Sequence, residues 1–150
     1  MTECASVSEE ALIRMAREAV ERAYAPYSRF RVGAVLLCMD DSTVFTGCNV
    51  ENASYGLTMC AERVAVGAAL AAGRRDLESI AICADGPELP TPCGACRQVL
   101  AEFNPDMAVI VSNGNCSRTF RLSELLPHSF GPAALPGRQP MRRSPRGGGR

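Results

Sequence analysis

The chain of 150 residues is predicted to be an α/β protein: one five-stranded mixed sheet with helices on both faces, a three-layer α/β/α arrangement. Three observations lead there. The length and a composition of 47% hydrophobic and 21% charged residues suit a single domain with a real core. Hydrophobic periodicity switches along the chain in the order α-β-β-α-β-α-β-β, the pattern of a sheet sandwiched by helices. And one helical stretch, "VAVGAALAA" at 64–72, is apolar on every side and must be covered all round.

The elements follow in chain order. "SVSEEALIRMAREAVERAYAPYS" reads as an amphipathic helix. Ser6 and Glu9 form a capping box, Leu12, Ile13, Ala16, Ala19, Val20 and Ala23 form its apolar stripe, and Pro26 ends it. "VGAVLLCM" (32–39) and "TVFTGCNV" (43–50) read as strands joined by the polar turn Asp40-Asp41-Ser42. A helix is expected from about Thr58 to Ala72, stopped by Gly73. "ESIAICA" (78–84) is a short buried strand, and 94–103 a helix entered from Pro92. "MAVIVS" (107–112) is a strand, and the Asn-Gly turn at 113–114 sends the chain into "CSRTFRL" before a last short helix, "LSELL". The chain's own helices or another subunit can supply the cover that 58–72 needs.

Charge is unevenly spread. All 16 basic side chains are Arg, which removes Schiff-base lysine chemistry. The last fifteen residues carry five Arg and no acid, so the first 135, with 11 Arg against 16 acids, stand at −5. A body of that sign does not suit a polyanionic partner, so no nucleic acid is expected. Residues 1–135 are read as the catalytic domain, and 136–150, "PGRQPMRRSPRGGGR", as a disordered tail. No run reaches the length of a membrane span, and the start "MTECASVSEE" is acidic where a secretory signal is basic. A reducing cytoplasm is therefore expected, in which eight cysteines point to metal or catalysis instead of disulfides.

Cys93 and Cys96 make a C-x-x-C pair at a helix start. Alone, such a pair reads as a redox dithiol, half a zinc knuckle, or chance in a cysteine-rich chain. A redox dithiol follows the first strand of its fold, and this pair follows the third. Cys60, at the opening of another helix, supplies a third sulfur. The lone histidine, His128, lies far along in "LLPHSF", and no further cysteine has the expected spacing. Three ligands with a fourth place open to water is the arrangement of a catalytic zinc. Glu62, two residues after Cys60, is then a carboxylate within reach of that water; read alone, it is an ordinary first-turn helix acid.

"CAER" (60–63) followed by "PCGACRQ" (92–98) resembles the zinc-dependent nucleoside deaminases, in particular the small homotetrameric cytidine deaminases with three cysteine ligands. The similarity runs from "PYSRFRVGA" (26–34) through "GCNVENASYG" (47–56) to "LLPHSFGP" (125–132). It implies the cytidine-deaminase-like fold, one Zn²⁺ per subunit held by Cys60, Cys93 and Cys96, and Glu62 as the proton shuttle. It implies that Asn49 and Glu51 hydrogen-bond the ribose hydroxyls and that Phe30 lines the base pocket. Phe130 would reach into a neighbour's pocket, so that active sites lie at subunit interfaces of a homotetramer. Without the resemblance, Phe30 and Phe130 read as core and Asn49 as a turn residue. The implied reaction is hydrolysis of cytidine and deoxycytidine to uridine and deoxyuridine plus ammonia, in pyrimidine salvage.

Three thiolates leave a Zn²⁺ site at −1, which disfavours ionisation of water. Two helix N-termini and a guanidinium hydrogen bond from Arg63 to a thiolate are expected to offset that charge. A nucleotide deaminase is the nearest alternative, but Glu51 at the sugar edge would repel phosphate. A nucleic-acid editor and a non-catalytic zinc module are more distant ones.

Overall fold

The computed structural model describes residues 7–39 and 42–137. Five strands, β1 (Val32–Cys38), β2 (Val44–Cys48), β3 (Leu77–Ala84), β4 (Ala108–Ser112) and β5 (Ser117–Arg121), form one sheet in the order β2-β1-β3-β4-β5. Only the β3–β4 pair is parallel, joined by a helical crossover; the others are antiparallel, so the sheet is mixed as the sequence predicts.

Helix α1 (Glu9–Val20) covers one face, where Leu12, Ala16 and Val20 pack with Val35, Leu37, Ala81, Cys83 and Ile110. Helices α2 (Ala61–Ala71), α3 (Gly94–Phe103) and α4 (Leu122–Leu125) lie on the other, over Ala34, Leu36, Ile80, Ile82, Val109 and Val111. Alternate strand residues thus feed two cores, the period-2 signature of a sheet buried on both sides.

Two helix starts differ from expectation. The N-cap of α1 is Ser8, whose hydroxyl accepts the Ala11 N–H at 3.2 Å. Ser6, the expected cap, lies outside the described residues, as do Asp40 and Asp41 of the hairpin turn and the expected tail from residue 138 on. At its other end α1 stops at Val20, well before Pro26, because Tyr24 pairs with Val50. Its N–H donates to Asn49 O and its carbonyl accepts from Glu51 N–H. Helix α2 begins at Ala61 instead of Thr58, since Met59 is drawn into an antiparallel bridge with Val50. Tertiary pairing outweighs helix propensity at both places.

Two glycines set how closely helices approach the sheet. A Cβ on Gly33 would stand 2.2 Å from Ala16 O of α1, and one on Gly47 2.3 Å from Ala61 O of α2. Contacts that short leave room for hydrogen alone. Gly47 therefore lets the first turn of α2 lie on β2.

Candidate metal centre and substrate cleft

Cys60 is the N-cap of α2 and Cys93 the N-cap of α3, with Cys96 in the first turn of α3. Two helix openings thus face one another, and the three sulfurs lie within 4.8 Å of one another. Among the described residues this is the group of thiol, imidazole and carboxylate side chains fit to hold a metal ion, and exposed His128 is not part of it. The Cys60 and Cys93 sulfurs are 3.9 Å apart. Two Zn–S bonds of about 2.3 Å at a tetrahedral angle put their sulfurs about 3.8 Å apart, so the spacing fits zinc. An all-thiolate donor set also selects zinc over hard cations.

The electrostatics favour a thiolate at Cys60. The Cys60 thiol is drawn down to about 5, first by a hydrogen bond from Cys96 and further by Arg63. Cys96, the buried donor in that bond, is pushed up. Arg63 reaches Cys60 Sγ with a terminal nitrogen at 3.7 Å and donates from the same nitrogen to Thr58 O at 3.0 Å. Charge on the sulfur thus gains a cation and the ends of two helix dipoles.

Glu62, one position into α2 from Ala61, is 5% exposed. Burial pushes its carboxyl above the usual carboxylate range, and the charge on Cys60 adds to the effect. A carboxyl so placed exchanges protons closer to neutral pH than an ordinary surface acid.

A cleft of about 210 Å³ is lined by Tyr27, Ser28, Glu51, Tyr55 and Thr58, the last of which bonds through its carbonyl to the Arg63 that reaches Cys60. Glu51 Oε2 accepts the Tyr27 N–H at 2.8 Å and the Ser28 N–H at 3.2 Å, while Oε1 accepts the Ser28 hydroxyl. The Ser28 hydroxyl, first, and the backbone donors hold this carboxyl below its usual range. Asn49 is buried, with Nδ2 donating to Phe30 O at 2.8 Å and Oδ1 accepting the Val32 N–H at 2.9 Å. One amide hydrogen and one lone pair remain to it. Phe30 and Phe130 are 48% and 61% exposed, so neither is core in the single chain.

Several neighbours of the site escaped sequence reasoning. Arg97 donates to Pro92 O at 2.7 Å and to Leu125 O at 2.8 Å, tying the loop before Cys93 to the end of α4. Gln98 donates to Phe130 O at 2.6 Å and so fixes the backbone that carries that ring. Ser28, Tyr55 and Thr58 line the cleft. Their signal in the sequence was position alone: Ser28 and Tyr55 lie inside quoted motifs and Thr58 between two of them.

Residues 6–112 match the family model described as "Cytidine and deoxycytidylate deaminase zinc-binding region". A cytidine deaminase of Halalkalibacterium halodurans is 51% identical over 127 residues, covering 83% of this chain and 95% of that protein. One of Mycobacterium tuberculosis is 48% identical over 122 residues, with 81% and 88% covered. The crystal structure of cytidine deaminase from Burkholderia pseudomallei superposes with a TM-score of 0.79 at 48% identity, over 82% of this chain and 99% of that one. With a zinc-binding family model spanning more than half the chain, and three sulfurs fit to hold a metal ion gathered at two helix openings, this protein belongs to the cytidine and deoxycytidylate deaminase family.

Proposed function

We infer that the chain is a zinc-dependent hydrolase that deaminates cytidine, and deoxycytidine with it, to uridine or deoxyuridine and ammonia. The carrying observation is a buried Glu62 at the same helix opening as one of three clustered thiols. Cys60, Cys93 and Cys96 would hold the ion. When bound, zinc supplies Lewis acidity that lets water lose a proton near neutral pH. Glu62 accepts the proton from the attacking water and delivers it to N3 of the pyrimidine. It then carries the other proton of that water, from the new hydroxyl on C4, to the amino nitrogen; the C4=O bond forms as the C4–N bond breaks, so that water and cytidine become uridine and ammonia. Arg63 keeps negative charge on Cys60 tolerable through its contact with the sulfur.

Glu51 and Asn49 would take the ribose hydroxyls, with the carboxylate as an acceptor that repels a 5′-phosphate. Phe30 lines the base pocket, and Phe130 serves the pocket of a neighbouring subunit. A homotetramer is supported by the exposed apolar side of α2, where Gly67, Ala68, Leu70 and Ala71 face outward. It is also supported by the exposed rings of Tyr24, Tyr27, Phe30, Tyr55 and Phe130. Residues 1–135 constitute the catalytic domain and 136–150 a tail, in a cytoplasmic enzyme of pyrimidine salvage. Among the described residues no helix is long and apolar enough to cross a membrane.

The test is ammonia release from cytidine and from cytidine monophosphate, with zinc quantified in the same sample. One zinc per chain and turnover of the nucleoside alone is the expected result. Turnover without zinc overturns the reading.

A further inference from the structure

One hydroxyl in the loop between α1 and β1 bonds both to Glu51 and to the loop's own backbone. Ser28 Oγ donates to Glu51 Oε1 and accepts the Phe30 N–H at 3.0 Å. The direction of the first bond is fixed, because an ionised carboxylate only accepts. Between the two bonded residues the chain reverses at Arg29, whose φ is +58°, a backbone conformation that costs a non-glycine residue energy. Backbone bonds tie Tyr24 to residues 49–51, from Tyr24 N–H to Asn49 O and from Glu51 N–H to Tyr24 O, and within the loop Arg29 N–H donates to Ala25 O.

The carboxylate is thereby nearly saturated. Tyr27 N–H, Ser28 N–H and Ser28 Oγ–H occupy three of its roughly four acceptor positions, leaving one for a ligand. Such a carboxylate has one orientation. Without the hydroxyl, Oε1 loses its partner and the Phe30 N–H loses its acceptor, so the cleft wall and the ring beside it relax together.

We propose that Ser28 is a positioning residue for nucleoside binding, its hydroxyl locking the Glu51 carboxylate and the Phe30 backbone into one preorganised unit. This rests on the reading of Glu51 and Phe30 as residues that contact the nucleoside. Ser28 touches neither the metal cluster nor Glu62 by any observed bond, so its effect falls on binding and not on the proton transfers. Preorganisation acts by sparing the ordering cost at the moment of binding.

The experiment is steady-state kinetics with cytidine on the zinc-loaded protein and its Ser28→Ala, Ser28→Thr, Glu51→Ala and Ser28→Ala/Glu51→Ala variants. Loss of a hydrogen bond to a charged group predicts a KM raised about tenfold in Ser28→Ala. Its kcat, zinc content and melting temperature should stay near wild type, and Ser28→Thr, which keeps the hydroxyl, should restore KM. In the Glu51→Ala background the same substitution should add less than about twofold, because coupled residues are not additive. An unchanged KM in Ser28→Ala overturns the proposal, as does a full effect in the Glu51→Ala background. Loss of the melting transition in Ser28→Ala makes the role structural and also overturns it. A wild-type protein inert toward cytidine overturns the functional reading first, and is distinguished by needing no variant.

Discussion

A carboxyl that is 5% exposed and stands near the charge on Cys60 is poorly solvated as an anion, which is why Glu62 is pushed above the usual carboxylate range. Glu62→Gln keeps the shape and removes the titration. The expected outcome is a kcat for cytidine reduced about 10³-fold, the scale of a lost general acid–base group, with zinc content unchanged and no lower melting temperature. Retained turnover in that variant would remove Glu62 from the proton path. At this scale the cysteines and Glu62 were legible because their meaning lies in short spacings, C-x-E and C-x-x-C, each at a helix start. Ser28 was not. Its partner Glu51 is 23 residues away, and a serine after Pro26 and Tyr27 reads as any turn residue. Gln98 was hidden similarly, because its target, the Phe130 carbonyl, is a backbone atom 32 residues distant.

Elements carry the site by where their ends fall. The first turn of α2 bears Glu62 and Arg63 and follows Cys60, and its distance from the sheet is set at Gly47. A methyl group there meets Ala61 O at 2.3 Å and Ala65 N at 2.5 Å, both backbone atoms that no rotamer change can clear. Gly47→Ala must push the helix outward. It should cost about 1–3 kcal/mol of stability by thermal melting, and because Cys60 moves with the helix, zinc affinity should fall in the same variant. A stable, fully zinc-loaded Gly47→Ala protein would show that α2 is free to shift. Element types and order were readable from periodicity alone. Boundaries were not, since Tyr24 and Met59 both leave their expected helices to pair with Val50, and such pairing has no local signature. The early end of α1 and the late start of α2 are what let Tyr24 and Met59 flank Val50, the residue between Asn49 and Glu51.

For the whole molecule, the unresolved question of the sequence was what covers an all-apolar helix. The single chain answers half of it. Ala61, Ala65, Val66 and Ala69 are buried against the sheet, whereas Gly67, Ala68, Leu70 and Ala71 face outward. Small side chains on that face permit close approach of another backbone, and a face of this kind is costly to leave in water. The substrate cleft is open to the same need, since its wall includes exposed Tyr27 and Tyr55, whose rings contact each other at 5.5 Å. If subunits close over both, assembly and substrate affinity must fall together when the helix face is blocked. Ala68→Arg tests this with a residue that helices accept well, so the subunit's own fold is spared. The expected outcome is a smaller particle by sedimentation, zinc retained, and a raised KM for cytidine, as the proposed reach of Phe130 into a neighbour's pocket requires. A variant of wild-type mass would move the interface away from α2, and a dissociated variant with unaltered KM would make each subunit's cleft complete on its own.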